Sequence, residues 1–162
     1  MDGHTHATAS MIAAPLVALL VAQQSGSVEA GIGALVGCVA GVAMSPDLDQ
    51  EGISASEWWL VNKTLGIGWL WVMVWFPYAR AFRHKQASHW PVIGTAGRVI
   101  YLTLLCILAA WLLNVHGATI GWPQIELSYL AGAFVGLAVS DTLHWLMDGG
   151  VFARYKNRAR SM

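Results

Sequence analysis

The chain has 162 residues, 56% of them hydrophobic and 11% charged, against about 45–50% and 25% in soluble domains. With a mean hydropathy of +0.53, this composition argues against an ordinary soluble globule and for a membrane domain. Equal numbers of acidic and basic residues leave a formal net charge of +0, so nothing at the level of the whole chain points to nucleic acid or to an acidic substrate.

A spanning helix takes about 20 residues, so the expectation is an all-α, integral membrane bundle of about four transmembrane helices in a single domain, 1–162, with a short basic tail at 152–162. Residues 1–10 carry no Lys or Arg, so the basic start of a cleavable signal peptide is missing. The first apolar segment, Ala7–Ala22, is therefore expected to stay attached. Gln23-Gln24-Ser25-Gly26-Ser27 reads as a turn. The second segment, Val28–Met44, contains Gly33-x-x-x-Gly37-x-x-x-Gly41, small residues on one helix face that let a neighbouring helix approach closely.

Pro46 is expected to stop that helix, since it disfavours α geometry before it and cannot donate a backbone hydrogen bond. Asp47 and Asp49, in Ser45-Pro46-Asp47-Leu48-Asp49, then lie on irregular chain at a membrane edge. Gln50–Lys63 mixes Trp58 and Trp59 with Glu57 and Lys63, as in a helix at headgroup depth. Leu65–Phe76 is apolar, rich in Trp and closed by Pro77. A run of about 10–14 residues is more often re-entrant or interfacial than spanning, and Trp favours the interface.

The connection Tyr78–Arg98 holds Arg80, Arg83, His84, Lys85, His89 and Arg98. It is followed by a clear span at Val99–Val115, a turn at His116–Gln124, and a last span at Ile125–Met147. Cys38 and Cys106 lack C-x-x-C spacing and read as small buried hydrophobes.

Lys and Arg in short loops mark the cytoplasmic side, which assigns the 78–98 connection and the tail to the cytoplasm. If Leu65–Phe76 does not cross, both termini, the Asp pair and the histidine loop share that face of a multi-pass plasma (inner) membrane protein.

Ionisable groups within apolar spans are costly and are functional candidates by default. Asp141, His144 and Asp148 fall at i, i+3 and i+7, on one helical face. His84 and His89 come from the basic loop and His6 from the N-terminus. Imidazole and carboxylate together suit Zn, Mn or Fe, and a mixed set of this size has room for two ions. A metal there would acidify a bound water and polarise a phosphoryl oxygen. Arg98 and Lys85 are placed to steady such a group, while Arg80 and Arg83 serve equally well as topology determinants on anionic lipid.

These motifs, together with Gly94-Thr95-x-x-Arg98 and Pro77-Tyr78, resemble a bacterial and archaeal family of uncharacterised metal-binding membrane proteins with an SPDLD motif. More distantly they are similar to the LexA-binding, inner-membrane-associated metal-dependent hydrolases. The resemblance implies metal positions at His6, Asp47, Asp49, His84, His89, Asp141, His144 and Asp148. Lys85 stands where that pattern has Arg.

The expected function is a metal-dependent hydrolase of phosphoesterase type, acting on lipid or another phosphate-containing amphiphile at the membrane face. A non-enzymatic metal-binding or transport protein is the alternative, and a structural or assembly protein the third reading. Transport would favour ligands at mid-bilayer in broken helices, whereas these cluster at segment ends.

Overall fold

The computed structural model describes residues 3–49, 52–82, 90–118, 121 and 124–149. Within them the chain is all-helical: α1 (Gly3–Ser25), α2 (Val28–Ala40), a 3₁₀ turn (Pro46–Asp49), α3 (Ala55–Lys63), α4 (Gly68–Ala81), α5 (Ile93–Val115) and α6 (Leu127–Met147). Three helices are long and apolar enough to cross a membrane, over Thr5–Ser25, Ile93–Val115 and Leu127–Met147. The fourth expected span is shorter. Regular α geometry ends at Ala40, and Val42 and Ala43 continue with tighter i→i+3 bonds to Val39 and Ala40 before Pro46.

α1, α2 and α6 form a close-packed trio built on small residues. His6, Ser10, Ala14, Ala18 and Ala22 recur every fourth position along one face of α1, and a methyl on Gly31 of α2 would meet Ala18 and Ala22. The expected glycine face of α2 meets a matching one on α6. A side chain on Gly33 or Gly37 would strike the carbonyls of Tyr129 or Ala133, and one on Gly132 or Gly136 those of Ala30 or Ala34. Residue numbers rise together across this contact, so α2 and α6 run parallel. α1 runs antiparallel to both, because Ser10 near its start bonds Ser140 and Cys38 Sγ reaches the Ser10 carbonyl. The start of α1, the end of α2 and the end of α6 therefore share one end of the trio.

The other elements are shorter or more loosely attached. Ser27 caps α2 by accepting from the Ala30 N–H at 3.0 Å. Ser54 and Glu57 form a reciprocal capping box that starts α3. α3 and α4 make a hairpin whose turn places Leu65 and Gly66 at φ +50 and +92, with Gly68 pressed on the Leu60–Val61 backbone.

At 1.5 Å per residue, α3 and α4 are roughly 14 and 21 Å long, short of a hydrocarbon core about 30 Å thick. The helix expected to close at Pro77 continues to Ala81. Pro77 removes one backbone bond, but Trp75 and Tyr78, both fully buried, pack with Leu48 and hold the last turn in place. α5 runs antiparallel to α4, with Tyr101 Oη donating to the Val74 carbonyl and Tyr78 reaching Arg98. The outward faces of α1 and α5 are apolar, with Ile12, Leu16, Leu19, Ile100, Leu104 and Leu108 all exposed.

Candidate metal centre

At the shared end of the trio, four of the expected ligands converge. His6, from the first turns of α1, stacks on His144 from the last turn of α6, ring centroids 3.9 Å apart. His6 Nε2 lies 3.1 Å from Asp148 Oδ1. His144 Nε2 lies 3.4 Å from Asp148 Oδ2 and 3.5 Å from Asp47 Oδ1. One ligand atom from each of His6, His144 and Asp148 falls within 4.8 Å of the others. Both imidazoles are buried, while the two carboxylates retain access to the outside.

The local sequence explains this geometry. His144 and Asp148 are four apart, so they stack along one face of α6. Pro46 diverts the chain after α2 and turns Asp47 across the end of α6, with the Asp47 N–H held by Ser45 Oγ at 3.2 Å.

The donor set fits a divalent ion. Two imidazole nitrogens and one or two carboxylates at a common point match three- and four-ligand sites for Zn, Mn or Fe. His6 Nδ1 is buried and has no hydrogen-bond partner among the described residues. The outer hydrogen bond that usually orients a ligating imidazole is therefore not seen for His6.

The remaining expected ligands go elsewhere. Asp141, on the same face of α6 as Asp148, lies two turns deeper and is bound by Thr95 Oγ1 and by the Arg98 guanidinium. Arg98, expected to face a substrate, is 1% exposed and also bonds the Tyr78 hydroxyl. Asp49 is completely buried and acts electrostatically on Tyr78 alongside Arg98 and Asp141. Burial pushes the Tyr78 hydroxyl pKa up. These residues form a second polar cluster that ties α4, α5 and α6 together. His84, Lys85 and His89 lie outside the described residues, as does the basic tail.

The Asp47–Asp49 split follows from the 3₁₀ turn. At three residues per turn, positions two apart point about 120° from one another, one to the histidines and one into the interior. Sequence reasoning also missed Ser10 and Ser140, whose hydroxyls lie 2.8 Å apart one turn beneath the histidines. Their i, i+4 spacing from His6 and His144 is the signal that points to them.

The centre borders a cleft of about 440 Å³ lined by the polar His6, His144, Asp47 and Ser140 and by the apolar Val42, Trp59 and Leu60, among others.

Comparisons with known proteins place the chain among its relatives. A protein of Aquifex aeolicus (strain VF5), described as an uncharacterized protein, is 29% identical over 133 residues, covering 73% of this chain and 86% of that one. No solved structure matches. The family described as "Uncharacterized metal-binding protein (DUF2227)" matches residues 1–159, and the chain belongs to that family.

Proposed function

We propose that this chain is an integral membrane protein whose His6, His144 and Asp148, with Asp47 beside them, hold a divalent transition metal, and that the centre serves hydrolysis of a phosphoester at the cytoplasmic membrane face. The observation that carries the reading is the meeting of both ends of the sequence in one set of ligand atoms within 4.8 Å. The exposed apolar faces of α1 and α5 support a bilayer setting, since soluble monomers rarely expose contiguous apolar surface of that extent.

A divalent ion held there would supply Lewis acidity toward a phosphoryl oxygen and a water. The chain's own residues do the rest. The stacked imidazoles and Asp148 fix the donors. Asp47, on the cleft side of His144, is the carboxylate placed to take a proton from a water entering from the cleft. The cleft gives a ligand access to the centre, which a metal serving only to tie helices together would not need. Arg98 is committed to Asp141 and acts through the fold.

The test has two stages. Metal analysis of purified protein should find about one Zn, Mn or Fe per chain, lost in His144→Ala. Phosphate or head-group release from phospholipid mixtures should then depend on that metal. Metal-loaded, folded protein that leaves every phosphoester intact would leave a metal-binding protein without hydrolase activity.

A further inference from the structure

The cleft beside the centre has a mixed lining. The histidines, Asp47 and the Ser10–Ser140 pair contribute polar groups, and Val42, Trp59 and Leu60 apolar ones. Its volume of about 440 Å³ lies within the roughly 300–1,000 Å³ typical of small-molecule sites. Trp59 and Met11 in its lining are more than half exposed, and Met11 adjoins the exposed Ile12 of α1, so the cleft carries apolar surface that reaches the outside.

The serine pair adds an independent observation. Ser10 and Ser140 are 4% and 3% exposed, and their hydroxyl oxygens are 2.8 Å apart. A serine carries one O–H donor and two acceptor lone pairs. Between two serines, one O–H serves the other oxygen, and the second O–H finds no acceptor among the described residues. A buried donor left without an acceptor is unfavourable and favours a ligand oxygen that can accept from it. It lies one helical turn from the histidines, in the wall of the cleft. Gly41 is what allows this arrangement, because any side chain there would strike Ser140 Oγ.

We infer that the cleft binds a bilayer lipid, with one alkyl chain against Val42, Trp59 and Leu60 and an ester or phosphoryl oxygen accepting the spare hydroxyl of the Ser10–Ser140 pair. This rests on the proposed function for its significance, since it names the substrate class as a lipid entering sideways from the membrane, yet the binding itself requires no metal. The lining agrees: apolar side chains for the alkyl chain and a hydroxyl for the ester region.

The experiment uses full-length protein in phosphatidylcholine nanodiscs doped with a phosphatidylcholine that carries a diazirine at the end of one acyl chain. Cross-links are mapped by mass spectrometry. The expected result is labelling of Val42 or Leu60 above that of the outward-facing Ile12 and Leu19, falling to their level in Val42→Trp. In the Ser10→Ala/Ser140→Ala double variant, which adds no volume, cleft labelling should also drop while that of Ile12 and Leu19 is unchanged. Equal labelling of cleft and outer face in the parent protein, or cleft labelling unchanged in the folded variants, overturns the inference. Metal content is measured on the same samples, before and after chelation. Cleft labelling in a protein that binds no metal would defeat the metal reading and leave the lipid site standing. Stoichiometric metal with no cleft labelling would do the reverse.

Discussion

The two halves of the molecule are held by opposite means. α1, α2 and α6 approach until backbone touches backbone, with Gly33, Gly37, Gly132 and Gly136 interlocked. α3, α4 and α5 attach through large side chains and polar ties: the Leu48–Trp75–Tyr78 cluster, Trp71 Nε1 donating to the Ala43 carbonyl at 3.3 Å, and the buried Arg98–Asp141 pair. The difference teaches where precision is needed. The four converging ligands come from the rigid trio and the turn just after it, so donor positions depend on helix spacing that only small residues permit. The aromatic half closes over that frame and tolerates looser fitting.

Breaking the trio should have the largest effect. Gly37→Leu has no room against Ala133 and should abolish folded protein, a loss on the order of 4 kcal/mol or more, read as loss of a monodisperse species. Gly52→Ala, which meets nothing within 4 Å, should stay within about 0.5 kcal/mol of the parent.

Next comes the tie between the halves. Arg98→Met leaves Asp141 buried without its cation and should cost about 3–5 kcal/mol in thermal unfolding. Pairing it with Asp141→Leu should recover much of that loss, while metal content stays at the parent value. Metal lost along with the ion pair would show that the halves are not separable.

The centre should matter less to stability than to metal. Saturating metal at about 100 times its dissociation constant stabilises a fold by about 2.7 kcal/mol. Chelation should remove that increment from the parent and change nothing in His144→Ala. A smaller effect than any of these losses is expected at Tyr101→Phe, which gives up one bond to the Val74 carbonyl. It should lower stability by about 1 kcal/mol and leave metal binding intact, confining the change to the aromatic half.

Much of the trio is legible in the sequence, because glycine spacing on α2 and the histidine–aspartate spacing on α6 are local patterns. The matching Gly132–Gly136 face is equally local, yet its role shows only once α2 is placed against it. The candidate site divides in a way that periodicity does not report. Asp141 and Asp148 share a face of α6, but about 10 Å of rise separates them along the axis, enough for α5 to bring Arg98 to one while α1 brings His6 to the other. Likewise Asp47 and Asp49 part company on a 3₁₀ turn, a geometry that the motif's spacing alone leaves open. Pro77 reads as a helix end, and tertiary packing of Tyr78 carries the helix past it.

The pairing of Ser10 with Ser140 spans 130 residues of chain, and it bears on biosynthesis. At about 5–20 residues per second, roughly 7–26 s separate the emergence of these two partners from the ribosome. During that interval the α1–α2 hairpin exposes its glycine face and half of a ligand set. Only the arrival of α6, sliding in parallel to α2, closes both. If these ligands hold a metal as proposed, its acquisition waits on completion of the last helix, and a retained ion would report that the final segment has docked.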